Sequence, residues 1–549
     1  MLNLRSAYYY FLATKINITK KLKKIYFRTN FYNNSLISKV PEQLYFYPNP
    51  FLLSSLTSHK NFSFKVSNID PDMFWVKQSN EKEEKNLHNF LWLNLINRKN
   101  KDSIIQKIIN VWIYKNNKYK NIIWDSAVVS KRIISWILNA DIILNNTDNS
   151  FKNDFFKSII LQTNHLRKNI KFENDNCKKI EIISAILLTG LVFKDYSENY
   201  DFGIKELEKI IEIFFDNEGF PLNKNPNDLI KFSKYLILIK ECIKDAQQFV
   251  PDYLGATIEK NLKCLKSIVT PHNQIPLFNG GTEINLEEYF DYISKLNYRF
   301  SKSLRKIGNL QIIKDKKNCI YFDVGEPPKK NFSSNYQSGP LSFEYFLDGD
   351  KIITNCGYGN NISKKAVLIS RLTSAQSTLT INDSSVVKLE RNRSINNAYG
   401  NSTKSSFKIS DYNFNEDELE IKSSASHNAY ENDFGYIHSR EIKIDKKNNS
   451  IVGKDKLSKK KEGSKVRFSI RFHLYPGIGA VQTISGNSVL IQVKKNKSLF
   501  LISEGQNLNI EKSIFLGGNK ILNNLCISIT GNLSNENKDI NWEIKKNIN

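Results

Sequence analysis

Apolar residues recur every three to four positions through the first half of the chain. Between residues 103 and 114 they occupy Ile104, Ile105, Ile108, Ile109 and Trp112. This spacing places them on one face of an α-helix. The same period predicts helices over residues 130–144, 155–166, 178–193, 204–215, 228–249 and 253–268. Short connections with stop signals, such as Asp216–Pro221, separate them, so we expect helical hairpins packed side by side to about residue 300.

Apolar and polar residues alternate in the second half, as in half-buried strands. In Leu341–Tyr345 every second residue is apolar, and Asp348-Gly349 follows as a hairpin turn signal. Further strands are predicted over residues 318–324, 351–356, 377–382, 406–409, 418–423, 437–444, 465–474, 488–494 and 525–530. Short strands with frequent turns are typical of an antiparallel sandwich.

The change of period defines the domains. We expect a basic N-terminal extension over residues 1–40, a helical domain over 41–300 and a β-sandwich domain over 301–549, with the boundary near residues 296–308. The fold class is therefore a multidomain α + β protein, in which helices precede an antiparallel sandwich.

Composition narrows the classes of protein. Hydrophobic residues make up 40% of the 549 residues and aromatic residues 12%, which excludes wholesale disorder. The six cysteines form no CxxC pair, so neither a disulfide scaffold nor a zinc–thiolate site is expected. Lys and Arg number 80 against 55 Asp and Glu, a net charge of +25. A net charge of this size is compatible with binding to nucleic acid, to an anionic membrane surface or to an acidic polymer, and it can also arise from compositional drift without any such partner. No nucleic-acid motif is present, so we expect no nucleic-acid partner.

Only the N-terminus carries charge of one sign. Residues 1–41 contain no Asp or Glu. Their basic residues are Arg5, Lys15, Lys20, Lys21, Lys23, Lys24, Arg28 and Lys39. The short apolar run Ala7–Ala13 is followed by the basic run that starts at Lys15, whereas a signal peptide has its basic run in front. The most apolar run, Ile180–Phe193, is too short to cross a bilayer. No export signal or transmembrane segment is therefore predicted.

Several segments, taken in order, resemble the heparinase II/III family. They are Trp124-Asp125 with Ser130–Ile137, Ile275–Gly280, Tyr336–Glu344, Ile353–Gly357, Ser374–Thr378, Gly435–Arg440 and Arg471–Pro476. The resemblance covers the chain from about residue 45 to its end. It implies an incomplete (α/α) toroid followed by an antiparallel β-sandwich. It also implies a polysaccharide lyase acting on a uronic-acid polymer, such as a glycosaminoglycan or alginate-like chain, in the periplasm or cell envelope. Because no export signal is visible, a cytoplasmic location stays open, and the oligomeric state is not predicted.

A lyase of this kind works by β-elimination, in which a base removes the proton next to the carboxylate and an acid protonates the leaving oxygen. The family uses an Asn and a Tyr on the toroid and a His on the sandwich, with a zinc nearby held by two His and an Asp. The resemblance aligns these metal positions with Gln337, Asn355 and Gln376. Amides are poor zinc ligands. We therefore expect that zinc, the family's metal, is lost here, and that these three amides cluster as a polar replacement.

The remaining candidates follow from the same alignment. The candidate catalytic residues are Asn335, which stands at a family His position, Tyr336, Asn176, His427 and Tyr430. Asn174 is an alternative to Asn176, and the segment Asn225–Asp228 lacks the family's tyrosine. The candidate substrate-binding residues are Arg132, Gln337, Gln376, Arg371, His438 and Arg440. Each His and Arg has an ordinary structural role as its alternative.

Two functions follow. The first is β-elimination on a uronic-acid-containing acidic polysaccharide. The second is a catalytically inactive carbohydrate-binding relative, which the missing zinc ligands and tyrosine favour. In either case we expect part of the positive charge to line the groove between toroid and sandwich, where a polyanion would lie.

Overall fold

The computed structural model describes residues 4–57, 74–75, 80–96, 102–270, 272–301, 303–462, 465–494 and 497–546. These residues form two compact units. The first contains residues 1–215, 230–259 and 288–299, and the second contains residues 216–229, 260–287 and 300–549. Two short segments of the helical half therefore group with the strands.

Helices dominate the chain up to residue 299. They are α1 (Leu4–Tyr26), α2 (Asn30–Asn34), α3 (Glu81–His88), α4 (Asp102–Asn116), α5 (Ser126–Leu138), α6 (Ala140–Ile143), α7 (Asn149–Asn169), α8 (Asn176–Val192), α9 (Ser197–Phe214), α10 (Pro226–Asp245), α11 (Asp252–Ile268) and α12 (Glu287–Lys295). Aspartate side chains cap several of them. Asp125, Asp148 and Asp175 accept a hydrogen bond from a backbone N–H in the first turns of α5, α7 and α8.

The core of the first unit is aromatic. Trp112 and Trp136 meet edge to face with ring centroids 5.4 Å apart, and Phe90 packs against both. One carboxylate, that of Glu181, lies in this unit with almost no exposure. Lys131 and Lys231 approach it at 3.2 and 2.8 Å. Burial raises the pKa of Glu181, but the two ammonium groups outweigh burial and hold it below its usual value.

The second unit is built from strands. They are β1 (Lys306–Ile307), β2 (Leu310–Lys314), β3 (Asn318–Asp323), β4 (Phe343–Leu347), β5 (Asp350–Thr354), β6 (Leu379–Ile381), β7 (Ile409–Glu416), β8 (Glu420–His427), β9 (Tyr436–Asp445), β10 (Ser450–Lys459), β11 (Val466–Leu474), β12 (Gly479–Gln482), β13 (Ser488–Lys494), β14 (Lys497–Ser503), β15 (Leu508–Phe515), β16 (Leu522–Leu533) and β17 (Lys538–Lys546). Short helices α13 (Lys364–Ile369), α14 (Arg393–Tyr399) and α15 (Glu431–Phe434) interrupt them.

These strands form two antiparallel sheets. One has the order β1-β2-β3-β4-β5-β11-β16-β15, with β6 paired to β11, and the other has the order β12-β13-β14-β17-β10-β9-β8-β7. Apolar residues of both sheets share one core, in which Phe343 of β4 stacks on Trp542 of β17 at 5.6 Å. The predicted order of helices followed by an antiparallel sandwich is confirmed.

Several strands differ from the sequence prediction. The strand predicted over residues 406–409 is observed as β7, which starts at Ile409. Strands β10 and β17 were not predicted, and they pair with each other over eight residue positions from Ser450↔Lys545 to Leu457↔Lys538. In β10 the exposed Lys454 and Lys456 flank the buried Asp455. In β17 the buried Ile540, Trp542 and Ile544 alternate with polar residues. Among the described helices, none is long and apolar enough to cross a membrane.

Candidate functional site

An asparagine-rich loop of the second unit precedes α10. The Asn223 carboxamide accepts from the Asn225 N–H at 3.1 Å, and the Asn225 carboxamide accepts from the Asn227 N–H at 2.9 Å. The Asn223 Nδ2 donates to Asp228 at 2.6 Å, and the Asn227 Nδ2 donates to the Thr282 hydroxyl at 2.7 Å. Asn side chains that bind backbone two residues on are typical of rigid turns. This loop therefore presents its amides in fixed positions.

Gly280 lies between this loop and the segment that precedes β4, where it contacts Asn225 and Asn335. Its φ is +101°, which favours glycine. A Cβ at this position would lie 2.7 Å from Asn225 Nδ2 and 3.0 Å from Asn335 Cβ. The Gly280 N–H donates to Gln337 Oε1 at 3.0 Å. Asn225, Asn335 and Gln337 are thus gathered around one glycine.

Asn335 is the partly exposed member of this group. Its Oδ1 accepts a hydrogen bond from the Tyr358 hydroxyl at 3.1 Å. Burial raises the pKa of Tyr358, the Arg371 guanidinium lowers it and the Asp228 carboxylate raises it, with a net upward shift. The phenol therefore keeps its proton and acts as a donor. We define Asn225, Gly280, Asn335 and Tyr358 as the Asn335 site.

The amides at the family's metal positions are bonded into the backbone. Gln337 Nε2 donates to the carbonyls of Gly357 and Ser370 at 3.1 and 2.9 Å, and Gln376 Nε2 donates to the same Ser370 carbonyl at 2.8 Å. The third, Asn355, accepts from the Ser377 N–H at 2.9 Å, and its Nδ2 has no hydrogen-bond partner within the described part of the chain. The structure thus brings Gln337 and Gln376 to one acceptor.

These residues do not fit a zinc ion. Zinc takes imidazole, thiolate or carboxylate ligands, whereas Gln337 and Gln376 turn N–H donors toward a carbonyl. Over the ranges that the structure describes, no group of three or more His, Cys, Asp or Glu side chains is arranged to hold a metal.

Tyr336 and Arg371 lie beside the Asn335 site but face the interior. Tyr336 is fully buried in the sandwich core, and its hydroxyl bonds to none of the residues described. Burial raises its pKa far above the usual value. Arg371 donates to the carbonyls of Tyr336, Ser333 and Asn401, so its guanidinium holds the loops together. The structure therefore gives both residues structural positions.

His427, His438 and Arg440 meet inside the sandwich. His427 Nε2 lies 3.1 Å from His438 Nδ1, and His438 Nε2 lies 2.7 Å from Asp455 Oδ1. Arg440 contacts both Asp455 oxygens at 2.8 and 3.1 Å. The Tyr430 ring packs against His427 at a tilt, with ring centroids 5.5 Å apart, and its hydroxyl donates to the Leu379 carbonyl at 3.0 Å. All five side chains are at most 1% exposed, so a polymer cannot reach them.

The pKa shifts of Asp455, His427 and His438 define the protonation states in this cluster. Burial raises the pKa of Asp455, but Arg440 and His438 outweigh it and lower the pKa to about 2. Burial lowers the pKa of His427 well below its usual value, and His438 and Arg440 add to this effect. Burial also lowers the pKa of His438, although Asp455 opposes the shift. The aspartate is therefore ionised and both imidazoles are neutral near neutral pH.

The two candidates of the first unit, Arg132 and Asn176, differ in exposure. Arg132 is fully buried and donates to Gln162 Oε1 at 2.6 Å and to the carbonyls of His88 and Ile123. Its guanidinium also stacks over the Trp112 ring at 4.2 Å. Asn176 is the first residue of α8 and is partly exposed. Arg132 thus has a structural position, and Asn176 keeps an accessible one.

Sequence reasoning missed Tyr358 and Asn225. Both flank motif segments that were used only for alignment: Tyr358 follows Ile353–Gly357, and Asn225 opens the segment that lacks the family tyrosine. The signal available in the sequence was Tyr358 directly after Gly357, in a chain whose segment Asn225–Asp228 lacks the family tyrosine.

Comparison with known proteins agrees with this architecture. Residues 299–543 match the family model described as heparinase II/III-like, C-terminal. FtsZ-localized protein C of Caulobacter vibrioides (strain NA1000 / CB15N) is 21% identical over 467 residues, which cover 81% of this chain and 78% of that protein.

Solved structures resemble the whole fold. A heparan sulfate lyase HepC mutant from Pedobacter heparinus matches with a TM-score of 0.66 and 15% identity, over 91% of this chain and 83% of that one. A heparinase III structure matches with a TM-score of 0.63 and 14% identity, over 88% and 80%. At this identity the likeness shows the fold, which is an (α/α) toroid followed by a β-sandwich.

The buried imidazoles predict a pH dependence of stability. Because the pKa of His427 is lower in the folded chain than in the unfolded chain, its stabilising contribution is complete above about pH 6.5 and is lost as pH falls below that value. We expect His427→Gln to flatten the slope of unfolding free energy between about pH 6.5 and 5 by up to about 1.4 kcal/mol per pH unit. Hydrogen exchange of β8 and β9 amides in increasing urea measures this. His272→Gln changes an exposed imidazole and should leave the slope unchanged; equal slopes in both variants would contradict the assignment.

The Gln337 carboxamide predicts a second stability effect. Gln337→Leu leaves the Gly280 N–H without its partner and the Gly357 carbonyl with only the weak Cys356 thiol donor, so unfolding free energy should fall by about 1–3 kcal/mol. Urea unfolding of the full chain measures the loss. Gln492→Leu, on an exposed position of β13, serves as the control and should stay within about 0.5 kcal/mol. A loss no larger than that of the control would show that the bonds of Gln337 do not support the fold.

Proposed function

The chain belongs to the heparinase II/III family, and we propose that it binds a uronic-acid-containing acidic polysaccharide at the Asn335 site without cleaving it. The observation that carries this proposal is the donor character of the site. Tyr358 keeps its proton and donates to Asn335 Oδ1, which leaves the Asn335 amide N–H groups to bind a carboxylate.

Elimination needs a base, and the six imidazoles in the described part of the chain lie outside the Asn335 site. The buried ones are His88, His165, His427, His438 and His473. His473 is fixed between the Ser513 hydroxyl and the Ser374 carbonyl, both at 3.0 Å. The exposed His272 lies against the hairpin turn at Gly349. Binding is therefore better supported than proton abstraction.

Positive charge near the site favours an anionic ligand. Lys364 and Lys365 are exposed and open α13, which begins six residues after Tyr358. The guanidinium of Arg371 lies near enough to Tyr358 to lower its pKa. The curated relative is named for localising with FtsZ, and such a name describes a location and no cleaved bond.

The Tyr358–Asn335 pair favours one second candidate, which is elimination with tyrosine as both base and acid. Asn335 would hold the carboxylate, and the Tyr358 phenolate would take the neighbouring proton. It would then return a proton to the glycosidic oxygen as the C–O bond breaks. The raised pKa of Tyr358 opposes this candidate, because it keeps the phenolate scarce at neutral pH.

One experiment separates the two functions. The full chain is incubated with heparan sulfate, hyaluronan, alginate and polygalacturonate, and the ultraviolet absorbance of unsaturated ends is followed while binding is measured by calorimetry. We expect binding to at least one polymer and no absorbance. Asn335→Ala should weaken that binding by about 10- to 100-fold, because a hydrogen bond to a charged group is lost. Asn519→Ala, on an exposed loop, should not.

Other outcomes of the same experiment decide against the proposal. Absorbance that develops in the natural chain and disappears in Tyr358→Phe would establish elimination. The absence of binding to all four polymers would show that the fold has taken another ligand.

We also propose that the chain holds no structural zinc. The amides of Gln337 and Gln376 donate hydrogen bonds to the Ser370 carbonyl at the positions where the family's side chains would bind the metal. Purified full-length protein should therefore contain far less than one zinc per chain. Mass spectrometry of the metal content tests this, and thermal unfolding with and without a chelator serves as the second measurement. One tightly held zinc per chain, with stability lost on chelation, would refute it.

A further inference from the structure

Helix α1 has two apolar sides. Its inner side carries the fully buried Ala13 and the partly buried Leu12 and Ile16, which hold the helix on the first unit. Its outer side carries five large apolar residues whose exposure lies between 53% and 66%. They are Tyr8, Phe11, Ile18, Leu22 and Ile25.

These five residues form one stripe along the helix, which Lys15 interrupts between Phe11 and Ile18. Their spacings of three, seven, four and three positions place them on the same face of a helix. Just beyond the helix, Phe31 of α2 is 75% exposed, and its ring lies 6.3 Å from that of Tyr26. Isolated exposed apolar residues are ordinary, but five of them aligned on one helix face mark an interaction surface.

The charges around the stripe indicate what covers it. Lys15 lies within the stripe, and Lys21, Lys24 and Arg28 lie along one edge, all of them exposed. The sequence has no acidic residue before Glu42. A second copy of the helix would bring these like charges together, whereas an anionic surface would neutralise them.

We propose that α1 docks the protein on an anionic lipid bilayer. The helix lies in the plane of the surface, with the apolar stripe in the boundary between headgroups and acyl chains. Its length of 23 residues corresponds to about 35 Å. Lys15, Lys21 and Lys24 extend their charged ends to the phosphates while their aliphatic stems stay along the stripe. This surface function is independent of the polysaccharide proposed for the Asn335 site.

Sedimentation with vesicles tests the charge component. The full chain is mixed with vesicles of phosphatidylcholine alone, or of phosphatidylcholine with phosphatidylglycerol, at low and high salt. We expect partition into the anionic vesicles only, and a decline with salt. The variant Lys15→Glu/Lys21→Glu/Lys24→Glu should lose about a hundredfold in partition, because each basic residue near the surface contributes about 1 kcal/mol. The matched control changes three exposed lysines of the same unit: Lys118→Glu, Lys157→Glu and Lys205→Glu.

A second pair of variants tests the apolar stripe. Phe11→Ser/Ile18→Ser/Leu22→Ser should abolish vesicle binding while the circular dichroism of the chain changes little, since the inner side of α1 is untouched. The control Tyr114→Ser/Ile213→Ser removes exposed apolar residues from two other helices and should bind like the natural chain.

Three results would overturn the proposal. One is equal binding to vesicles with and without phosphatidylglycerol. Another is the absence of vesicle binding by the natural chain. The third is dimerisation seen by light scattering, abolished by the serine variant, without any vesicle binding. That last result would assign the stripe to a second copy of the chain.

Discussion

The buried carboxylate of Asp455 is the interaction on which the sandwich and its site depend. It accepts from His438 at 2.7 Å, from the Arg440 guanidinium at 2.8 Å and from the Trp542 indole at 2.9 Å. Arg440 then reaches across to the other sheet, where it donates to the carbonyls of Leu341 and Ser377 at 2.8 and 3.1 Å. Those residues flank the segments that carry Gln337 and Gln376. A charge fully removed from water is tolerated only when paired this completely, and loss of one partner costs about 3–5 kcal/mol.

A second buried carboxylate continues the connection toward the Asn335 site. Glu344 accepts from the Leu277 N–H at 3.1 Å, from the Thr354 hydroxyl at 2.8 Å and from the Asn355 N–H at 3.0 Å. It thereby fixes the segment that leads into Gly280 to two strands of the first sheet. Asp455 thus links strands of one sheet to the segments that lead into the other, and Glu344 links the segment before Gly280 to the first sheet.

The sequence predicted the parts of the fold that depend on local pattern. The period of Ile104 to Trp112 predicted a helix, and the alternation in Leu341–Tyr345 predicted a strand, because each element buries one face. Strand β10 escaped prediction because its lysines and the buried Asp455 interrupt the apolar pattern, although it pairs with β17 on one side and with β9 on the other. For the site, motif order was enough to place Gln337 beside Gln376. It was not enough to find Tyr358, because the pairing with Asn335 joins residues 23 positions apart through a turn. It also did not show that His427 points inward, since strand alternation leaves open which face is buried.

Amides at the family's metal positions change how the loops around Gly280, Gly357 and Ser370 are held together. A zinc site binds its loops through ligands that must be deprotonated, so its strength depends on pH and on metal supply. Gln337 instead joins Gly280, Gly357 and Ser370 through neutral hydrogen bonds that do not titrate. Neutral hydrogen bonds therefore hold these loops together, while the imidazoles of His427 and His438 lie inside the sandwich. The Asn335 site, held by these loops, can present hydrogen-bond donors to a carboxylate. Its amides do not titrate and Tyr358 keeps its proton, which is the physical basis on which we propose binding rather than cleavage.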